Sequence, residues 1–398
     1  MRDAIAVLNA GSSSLKFSLY ANEDTELALV ARGQAEGLLT SPKFVAKDGA
    51  GNVVDERNWG EGTKLGHDGA LDYLVSVLRA RFAGYRLVAV GHRVVHGGLE
   101  YSRPTRINAA VVDALEKYVA LAPLHQPHNL APIRFLLARD PKLPQVACFD
   151  TAFHRNQPAV AQAFALPRAI TERGVLRYGF HGLSYEYIAS VLPTVAPNIS
   201  SGRVIVAHLG SGASLCAIKN GKGIDSTLGF TALDGLCMGT RPGSIDPGVV
   251  LYLFQTLGLN AADVETMLYK KSGLLGISGI SNDMRDLIAN ADPSARLAVE
   301  YFVYRVAKEI GALAAVLGGV DGIVFTAGIG ERSAAIRQRI CDASAWLGLE
   351  IDRAANEHDG PRISTSASEI EAWVVPTNEE LVIARHTGQL LGLIETRV

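Results

Sequence analysis

Two short turns rich in glycine and serine are candidate anion-binding sites. The first, residues 9–16 (N-A-G-S-S-S-L-K), joins two β-rich runs, and so does the second, residues 208–212 (H-L-G-S-G). Successive backbone N–H groups in such turns form a concavity that binds anions. Ser12, Ser14 and Lys16 add donors and positive charge to the first turn. An ordinary tight hairpin is the alternative for each turn, although two related turns in one chain favour anion binding.

A third glycine cluster, residues 326–330 (T-A-G-I-G), follows an apolar run and precedes a helix that we expect to begin near Glu331. A glycine turn between a strand and a helix directs backbone N–H groups and the positive end of the helix towards an anion. Three such sites in one chain indicate binding of a nucleotide polyphosphate.

Two arginines are flanked by glycines. Arg93 lies in the motif G-H-R-V-V-H-G-G and Arg241 in the motif M-G-T-R-P-G. Because a guanidinium binds carboxylate and phosphate oxygens in a bidentate manner, both are candidates for holding substrate. The alternative is that each arginine anchors loop carbonyls or pairs with Asp234 or Asp246.

Asp150 and His181 are candidates for acid–base chemistry. Asp150 follows the apolar run 145–149, at the strand end where open α/β sheets place ligands. It could orient a metal or accept a proton, or it could cap the turn at Thr151. His181 is followed by a glycine, which indicates a close approach of the backbone to another group.

The C-terminal segment contains a candidate metal ligand. Thr377 and Glu380 fit a capping box at the start of a last helix. Glu379 then remains to face a metal, with exposure to solvent as the alternative.

The segments that must position these residues alternate between strands and helices. Apolar runs at 87–91, 145–149 and 322–326 predict strands, and amphipathic patterns at 70–81, 109–121 and 295–317 predict helices, a pattern typical of sheets covered by helices. Asn9 and His208 occupy equivalent places in the two hairpins, 199 residues apart in a chain of 398. This offset favours a duplicated pair of domains over a coincidence. The glycine-rich stretch 226–248 is expected to be a functional loop.

Composition excludes several classes of protein. Lys and Arg together number 38 against 40 Asp and Glu, so a dedicated nucleic-acid binder is not expected. The four cysteines have no metal-ligand spacing, which favours a reducing compartment. No signal peptide is recognised, and the longest apolar stretch, 310–320, is shorter than the ~20 residues that span a bilayer. The sequence therefore predicts a soluble, cytoplasmic protein of two or three domains.

Together these motifs resemble the acetate and propionate kinases. The matching stretches run along nearly the whole chain, at 9–16, 91–98, 149–154, 177–182, 238–241, 325–331 and 376–385. The resemblance implies an α/β fold of two duplicated ribonuclease-H-like domains of the actin and hexokinase type, with mixed sheets flanked by helices and a cleft between the domains. It implies an N-terminal domain of residues 1–149 plus 384–398, and a nucleotide-binding domain of residues 150–383. A homodimer that uses ATP with Mg²⁺ (or Mn²⁺) is expected.

The resemblance also implies roles for individual residues. Asn9 and Glu379 would hold the metal, Lys16 would contact the ATP phosphates, and Arg93 would bind the carboxylate of the substrate. Asp150, His181 and Arg241 would be catalytic. The acyl pocket would consist of Val95, Leu124, Phe180 and Ala232. The nucleotide site would consist of His208, Leu209, Gly210, Ser211, Gly212, Asp283, Met284, Arg285, Gly328, Ile329, Gly330, Glu331 and Arg332.

The expected reaction is reversible phosphoryl transfer from ATP to acetate, giving acetyl phosphate and ADP. Propionate or a range of short fatty acids is the alternative acceptor. A non-kinase ATPase of the same superfamily is a further alternative, although such a protein needs no carboxylate-binding arginines. A catalytically impaired homologue is another, because Ser211 and Arg332 stand where the family usually has asparagine. Ala232 and Tyr185 also depart from the family pattern, which usually has proline and histidine there.

Overall fold

Strands form where apolar runs are bounded by turn residues. The computed structural model describes residues 1–23 and 26–395. Within these residues the strands are β1 (Arg2–Ala10), β2 (Ser14–Glu23), β3 (Glu26–Glu36), β4 (Lys43–Asp48), β5 (Val53–Asn58), β6 (Tyr85–Val94), β7 (Thr105–Arg106), β8 (Gln145–Phe149), β9 (Arg203–Leu209), β10 (Ala213–Lys219), β11 (Lys222–Ser226), β12 (Gly322–Thr326) and β13 (Glu371–Val374).

Helices fill most of the connections between the strands. They are α1 (Gly66–Arg81), α2 (Ala109–Glu116), α3 (Gln126–Arg139), α4 (Ala159–Gln162), α5 (Arg168–Thr171), α6 (Gly182–Val195), α7 (Pro247–Gln255), α8 (Ala261–Lys270), α9 (Gly273–Ser278), α10 (Met284–Ala289), α11 (Pro293–Leu317), α12 (Ala327–Arg332), α13 (Ala334–Ala343), α14 (Arg353–Glu357) and α15 (Glu379–Leu390). Short 3₁₀ helices lie at Lys117–Leu121, Ala152–His154 and Ala345–Leu347. Among the helices of the described ranges, none is long and apolar enough to cross a bilayer.

The chain divides into two compact units. The first comprises Met1–Ala152 and Asn378–Val398, and the second comprises Phe153–Thr377. The boundaries expected from the sequence, after residues 149 and 383, differ from these by a few residues and stay a prediction. In the structure the whole of α15 belongs to the first unit.

The first unit contains a mixed sheet in the order β5-β4-β3-β2-β1-β6-β8-β7. The first hairpin pairs β1 with β2 antiparallel and places Asn9 opposite Lys16. Strands β1, β6 and β8 are parallel neighbours, so β6 and β8 end at the same edge of the sheet. Helix α15 packs against β6 where Gly91 has no side chain; a β-carbon there would lie 2.6 Å from the Ile383 side chain.

The second unit repeats this order on a smaller scale. Its sheet runs β11-β10-β9-β12-β13, with antiparallel pairs from β11 to β9 and parallel pairs from β9 to β13. The stretch β3-β2-β1-β6-β8 of the first unit has the same order and the same strand directions. The predicted duplication and the mixed α/β class with helix-flanked sheets are therefore confirmed.

Two local predictions are wrong. The helix expected from Glu331 is α12, which begins at Ala327 and ends at Arg332, so its glycines lie inside the helix. The Glu331 carboxylate accepts a hydrogen bond from the Ala327 N–H at 2.8 Å, so a side chain of this short helix satisfies the N–H at its own start. The capping box at Thr377 is also wrong, because Asn378 caps α15 by accepting a hydrogen bond from the Leu381 N–H.

Candidate active site

Arg93 and Asp150 form an ion pair at one edge of the first unit's sheet. Arg93 lies near the end of β6, and Asp150 directly follows the neighbouring parallel strand β8. The guanidinium donates from Nε to Oδ1 at 3.0 Å and from Nη2 to Oδ2 at 2.6 Å. Asp150 is almost fully buried, whereas the Arg93 side chain is 22% exposed. This bidentate contact fixes the plane of the guanidinium and leaves part of it accessible.

Asn9 and Glu379 lie beside the same guanidinium. Arg93 Nη1 donates to Asn9 Oδ1 at 3.3 Å, and Arg93 Nε lies 3.9 Å from Glu379 Oε2. Burial raises the pKa of Glu379 to about 7, against the opposing effect of Arg93. Burial alone would lower the pKa of Arg93, but Asp150 and Glu379 raise it above its ordinary value. The sheet and helix α15 together thus gather an amide and two carboxylates around one arginine.

This donor set fits a hard divalent cation. Carboxylate and amide oxygens are the ligands that Mg²⁺ prefers, and it is usually held by one or two carboxylates with substrate phosphates completing its shell. A cation near Glu379 would favour the ionised carboxylate, whose pKa burial otherwise raises. Within residues 1–23 and 26–395 no group of three or more His, Cys, Asp or Glu side chains could hold a metal on its own. The residues therefore suit a cation that a phosphate helps to bind.

Val95 and Leu124, the expected acyl-pocket residues of the first unit, follow Arg93 along the chain. Val95 is buried, and its N–H donates to Asn129 Oδ1 at 2.9 Å. Asn129 in turn donates to the Ala10 carbonyl at 2.7 Å. This buried amide ties the segment after Arg93 to the end of β1. Leu124 is half-buried.

In the second unit, Arg241 and His181 converge on the turn between β9 and β10. A β-carbon built on Gly212 would lie 2.8 Å from Arg241 Nη2 and 3.4 Å from His181 Nε2. A side chain at this position would displace the Arg241 guanidinium, so glycine permits its close approach to the turn. Arg241 Nη1 donates to the Ala232 carbonyl at 2.7 Å. One nitrogen of this arginine therefore anchors a loop carbonyl, which was the alternative considered for it. Burial lowers the pKa of Arg241.

Asp234, considered as a partner of either glycine-flanked arginine, pairs instead with Arg177 at 3.0 Å. Phe180 is buried, and Ala232 lies in the long loop between β11 and α7, as the glycine-rich stretch predicted.

His181 stands directly before α6 with a left-handed backbone (φ 58°). Its Nδ1 lies 2.8 Å from Ser214 Oγ, and its ring stacks on the His208 ring with centroids 4.1 Å apart. His208 Nδ1 lies 2.8 Å from Ser184 Oγ, and Ser184 donates to Thr377 Oγ1 at 2.9 Å. Both imidazoles are thus fixed in orientation by hydroxyl groups.

A cavity of about 420 Å³ lies next to this turn, within the range of ~300–1,000 Å³ typical of ligand pockets. It brings together three segments distant in sequence and is lined by Gly210, Ser211, Asn282, Asp283, Met284, Arg285, Gly328, Ile329, Arg332 and Ser333. Most of these are predicted nucleotide residues. Asn282 and Ser333 were missed, although each is adjacent to a residue that was predicted.

Some predicted nucleotide residues do not line the cavity. Leu209 and Gly330 are buried. The Glu331 carboxylate accepts hydrogen bonds from the N–H groups of Ala327 and Thr377, at 2.8 and 3.1 Å. At the rim, Arg285 Nη2 donates to Asp283 Oδ2 at 2.5 Å, and these hydrogen bonds lower the pKa of Asp283 to about 2. Arg285 is largely exposed, so its guanidinium remains accessible.

The sheet is duplicated in the two units. One unit has a cavity beside a glycine turn, and the other has an arginine–carboxylate pair. Together these features define a phosphotransferase with the actin-like ATPase fold. The family model described as the acetokinase family matches residues 4–385, and the chain belongs to that family. ATP is accordingly a substrate, and the predicted resemblance is confirmed.

Similar proteins cover almost the whole chain. An acetate kinase from Nitrobacter hamburgensis is 54% identical over 390 residues, which cover 98% of this chain and 96% of that protein. One from Rhodopseudomonas palustris is 51% identical over 395 residues, covering 98% and 99%. Among solved structures, a propionate kinase from Francisella tularensis has a TM-score of 0.89 at 38% identity, covering 97% and 99% of the two chains. The acetate kinase from Porphyromonas gingivalis has a TM-score of 0.86 at 38% identity, covering 98% and 100%.

Proposed function

We propose that this protein is an acetate kinase that transfers the γ-phosphoryl group of ATP reversibly to acetate. The observation that carries the proposal is the convergence of Arg241 and His181 on Gly212, beside a cavity lined by Gly210 and Ser211. A nucleotide in that cavity would have its phosphates directed at an arginine and an imidazole. The relatives named acetate kinases support acetate as the acceptor.

The residues supply what phosphoryl transfer requires. An acetate oxygen forms a bond to the γ-phosphorus while the bond to the β,γ-bridging oxygen breaks, and the charge on the three equatorial oxygens must be stabilised. Arg241 and His181 provide donors for those oxygens. Arg93, held by Asp150, provides a donor for the carboxylate of acetate. Mg²⁺ held by Asn9 and Glu379 would neutralise phosphate charge; Mn²⁺ is the alternative, and Lys16, opposite Asn9, would contact the phosphates.

We propose acetate over propionate as the preferred acceptor. Val95 lies two residues from Arg93 and would contact the methyl group of acetate, with Leu124, Phe180 and Ala232 forming the rest of the pocket. Ala232 is smaller than the proline usual in the family, which favours some use of propionate. One methylene in an apolar pocket changes specificity by only ~1–3 kcal/mol, so we expect mixed use.

The homodimer and the cytoplasmic location expected from the sequence remain proposals. Light scattering on the purified protein with and without ATP would establish its oligomeric state.

An acyl-hydroxamate assay tests the function. Purified protein with ATP and Mg²⁺ should form acetyl hydroxamate at a higher kcat/KM than propionyl hydroxamate, and butyryl hydroxamate more slowly still. Removal of divalent cations with EDTA should abolish product, and Mg²⁺ should restore it. ATP hydrolysis that does not depend on any carboxylate, with no hydroxamate formed, would show instead a non-kinase ATPase.

A further inference from the structure

His181 is connected to a tyrosine that the proposed mechanism has not used. Tyr185 lies in the first turn of α6, and His181 directly precedes that helix. The Tyr185 hydroxyl makes a short hydrogen bond with Ser214 Oγ, and Ser214 Oγ lies 2.8 Å from His181 Nδ1. Tyr185 and Ser214 are both fully buried. The three groups form a line from the core to the imidazole.

The direction of the hydrogen bonds along this line follows from the chemistry of the hydroxyls. Ser214 has one hydroxyl hydrogen and can accept from two donors. The phenol of Tyr185 is the more acidic hydroxyl, with an ordinary pKa of ~10, so it is the better donor to the serine oxygen. The two groups within hydrogen-bond distance of Ser214 Oγ are the Tyr185 hydroxyl and His181 Nδ1. With Tyr185 as the donor to Ser214, the Ser214 hydrogen is directed to His181 Nδ1, which accepts it.

The hydrogen bond made by one nitrogen of an imidazole determines which nitrogen carries the proton. With Nδ1 accepting, a neutral His181 carries its hydrogen on Nε2. That nitrogen is the one near Gly212 and Arg241, so a donor faces the place of the transferred phosphoryl group. The opposite tautomer would direct a lone pair at the phosphoryl oxygens.

We infer that Tyr185 is a positioning residue that acts through Ser214 to keep the His181 hydrogen on Nε2. This inference rests on the proposed function for its kinetic consequence, but the tautomer itself is independent of activity. Tyr185 itself touches no reacting atom.

The tautomer is measured by a long-range ¹H–¹⁵N correlation spectrum of protein labelled at histidine, with His181→Gln used to assign the signal. We expect the Nε2-protonated form of His181 in the wild type and a substantial Nδ1-protonated population in Tyr185→Phe. Tyr73→Phe is the matched control, because Tyr73 also donates its hydroxyl to a protein oxygen, Asp55 Oδ1 at 2.7 Å, in the other unit. A wild-type His181 protonated on Nδ1 would overturn the inference without any variant.

The kinetic test separates positioning from substrate binding. Tyr185→Phe should lower kcat at least about 10-fold, short of the ~10²–10³ lost when a transition-state donor is removed. The KM values for ATP and acetate should change by less than about 2-fold. Ser214→Ala should have a similar effect, and the double variant should be no worse than Ser214→Ala alone, because both act through one imidazole.

Additive losses, or a kcat in Tyr185→Phe equal to that of Tyr73→Phe, would contradict the relay. If the wild type forms no acetyl hydroxamate, the proposed function fails, whereas the spectrum still decides the inference about Tyr185.

Discussion

The guanidinium of Arg93 is held by the carboxylate of Asp150 through two parallel hydrogen bonds, across the ends of neighbouring strands β6 and β8. Truncating one partner of a buried ion pair leaves the other charge buried without compensation. The resulting loss of folding free energy is larger than the stabilisation that the intact pair provides. The geometry thus makes Asp150 necessary for the orientation of Arg93, whatever further role it has.

Arg241→Ala should lower kcat by about 10³-fold or more, because an arginine that stabilises the transition state of phosphoryl transfer contributes ~10³–10⁵. Arg93→Ala should lower kcat/KM for acetate by a comparable factor, because it removes the donor for the acceptor carboxylate and leaves the buried Asp150 without its partner. Arg86→Ala is the control, since Arg86 lies on the same strand as Arg93 and pairs with Asp3 at the surface. The hydroxamate assay and the melting temperature are measured together. Near-normal turnover in a folded Arg93 or Arg241 variant would contradict the assignment.

Gly328→Ala should raise the KM for ATP without loss of stability. A β-carbon on Gly328 meets no atom within 4 Å outside its own helix turn, because this face of α12 borders the cavity. Alanine is the better helix former by ~1 kcal/mol, so the melting temperature should stay the same or rise. Gly84→Ala, where a β-carbon also meets open space, is the control and should leave the KM for ATP unchanged. An unaltered KM in Gly328→Ala would exclude this face from nucleotide binding.

Ala232→Pro should lower the kcat/KM ratio of propionate to acetate. The ring adds about two carbons to the pocket, and a buried methylene of substrate contributes ~0.8 kcal/mol where it fits. The substitution retains the carbonyl that accepts from Arg241. Ala232→Gly, which enlarges the space, should shift the ratio the other way. Equal ratios in all three proteins would remove Ala232 from the pocket.

His154 should make the protein sensitive to mild acid. Burial lowers the pKa of His154 to about 4 from an ordinary 6.5. Its Nε2 donates to the Phe180 carbonyl at 2.9 Å, and its Nδ1 lies 3.2 Å from Gln157 Nε2, which donates to it in the neutral ring. Between pH 6.5 and 4 the unfolded chain binds a proton at this histidine that the folded chain does not. The free energy of unfolding therefore decreases as the pH is lowered, by on the order of 3 kcal/mol over this range.

The test is the denaturation midpoint at several pH values. His154→Gln should be less stable than the wild type at pH 7.5 but should lose less stability on acidification to pH 4. Buried His92, whose pKa burial also lowers to about 4, accounts for part of the remaining slope. Replacement of exposed His358 by Gln is the control. Identical slopes in the His154 variant and the wild type would show that His154 is not the group that titrates.

The buried strands were predictable because their signal is local. Strands β8 and β12 coincide with the apolar runs 145–149 and 322–326, since every residue in them is buried and polar or glycine residues bound them. The two hairpins followed from their glycine–serine turns in the same way. The glycine turns that line the cavity, with Gly210, Ser211, Gly328 and Ile329, were predictable from the residues as well. Asp283, Met284, Arg285 and Arg332 were predictable only through the resemblance to a family.

The missed features depend on partners distant in sequence. Thr377 fits a capping box, but its N–H donates to Glu331 and its hydroxyl accepts from Ser184. Asn378 therefore caps the helix instead. No periodicity identifies a glutamate whose carboxylate closes its own helix turn, as Glu331 does in α12. The contact of Tyr185 with Ser214 joins α6 to β10, and only the folded chain brings those two hydroxyls together.

Helix α15 completes the first unit only after the whole second unit has been synthesised. Residues 153–377 separate it along the chain from β8, yet it packs over Gly91 of β6 and brings Glu379 to Arg93. On the ribosome, the sheet of the first unit therefore emerges long before its covering helix and keeps this apolar face uncovered in the meantime. The order of translation makes the arginine site the last part to be assembled, so a truncated nascent chain lacks one of its carboxylates.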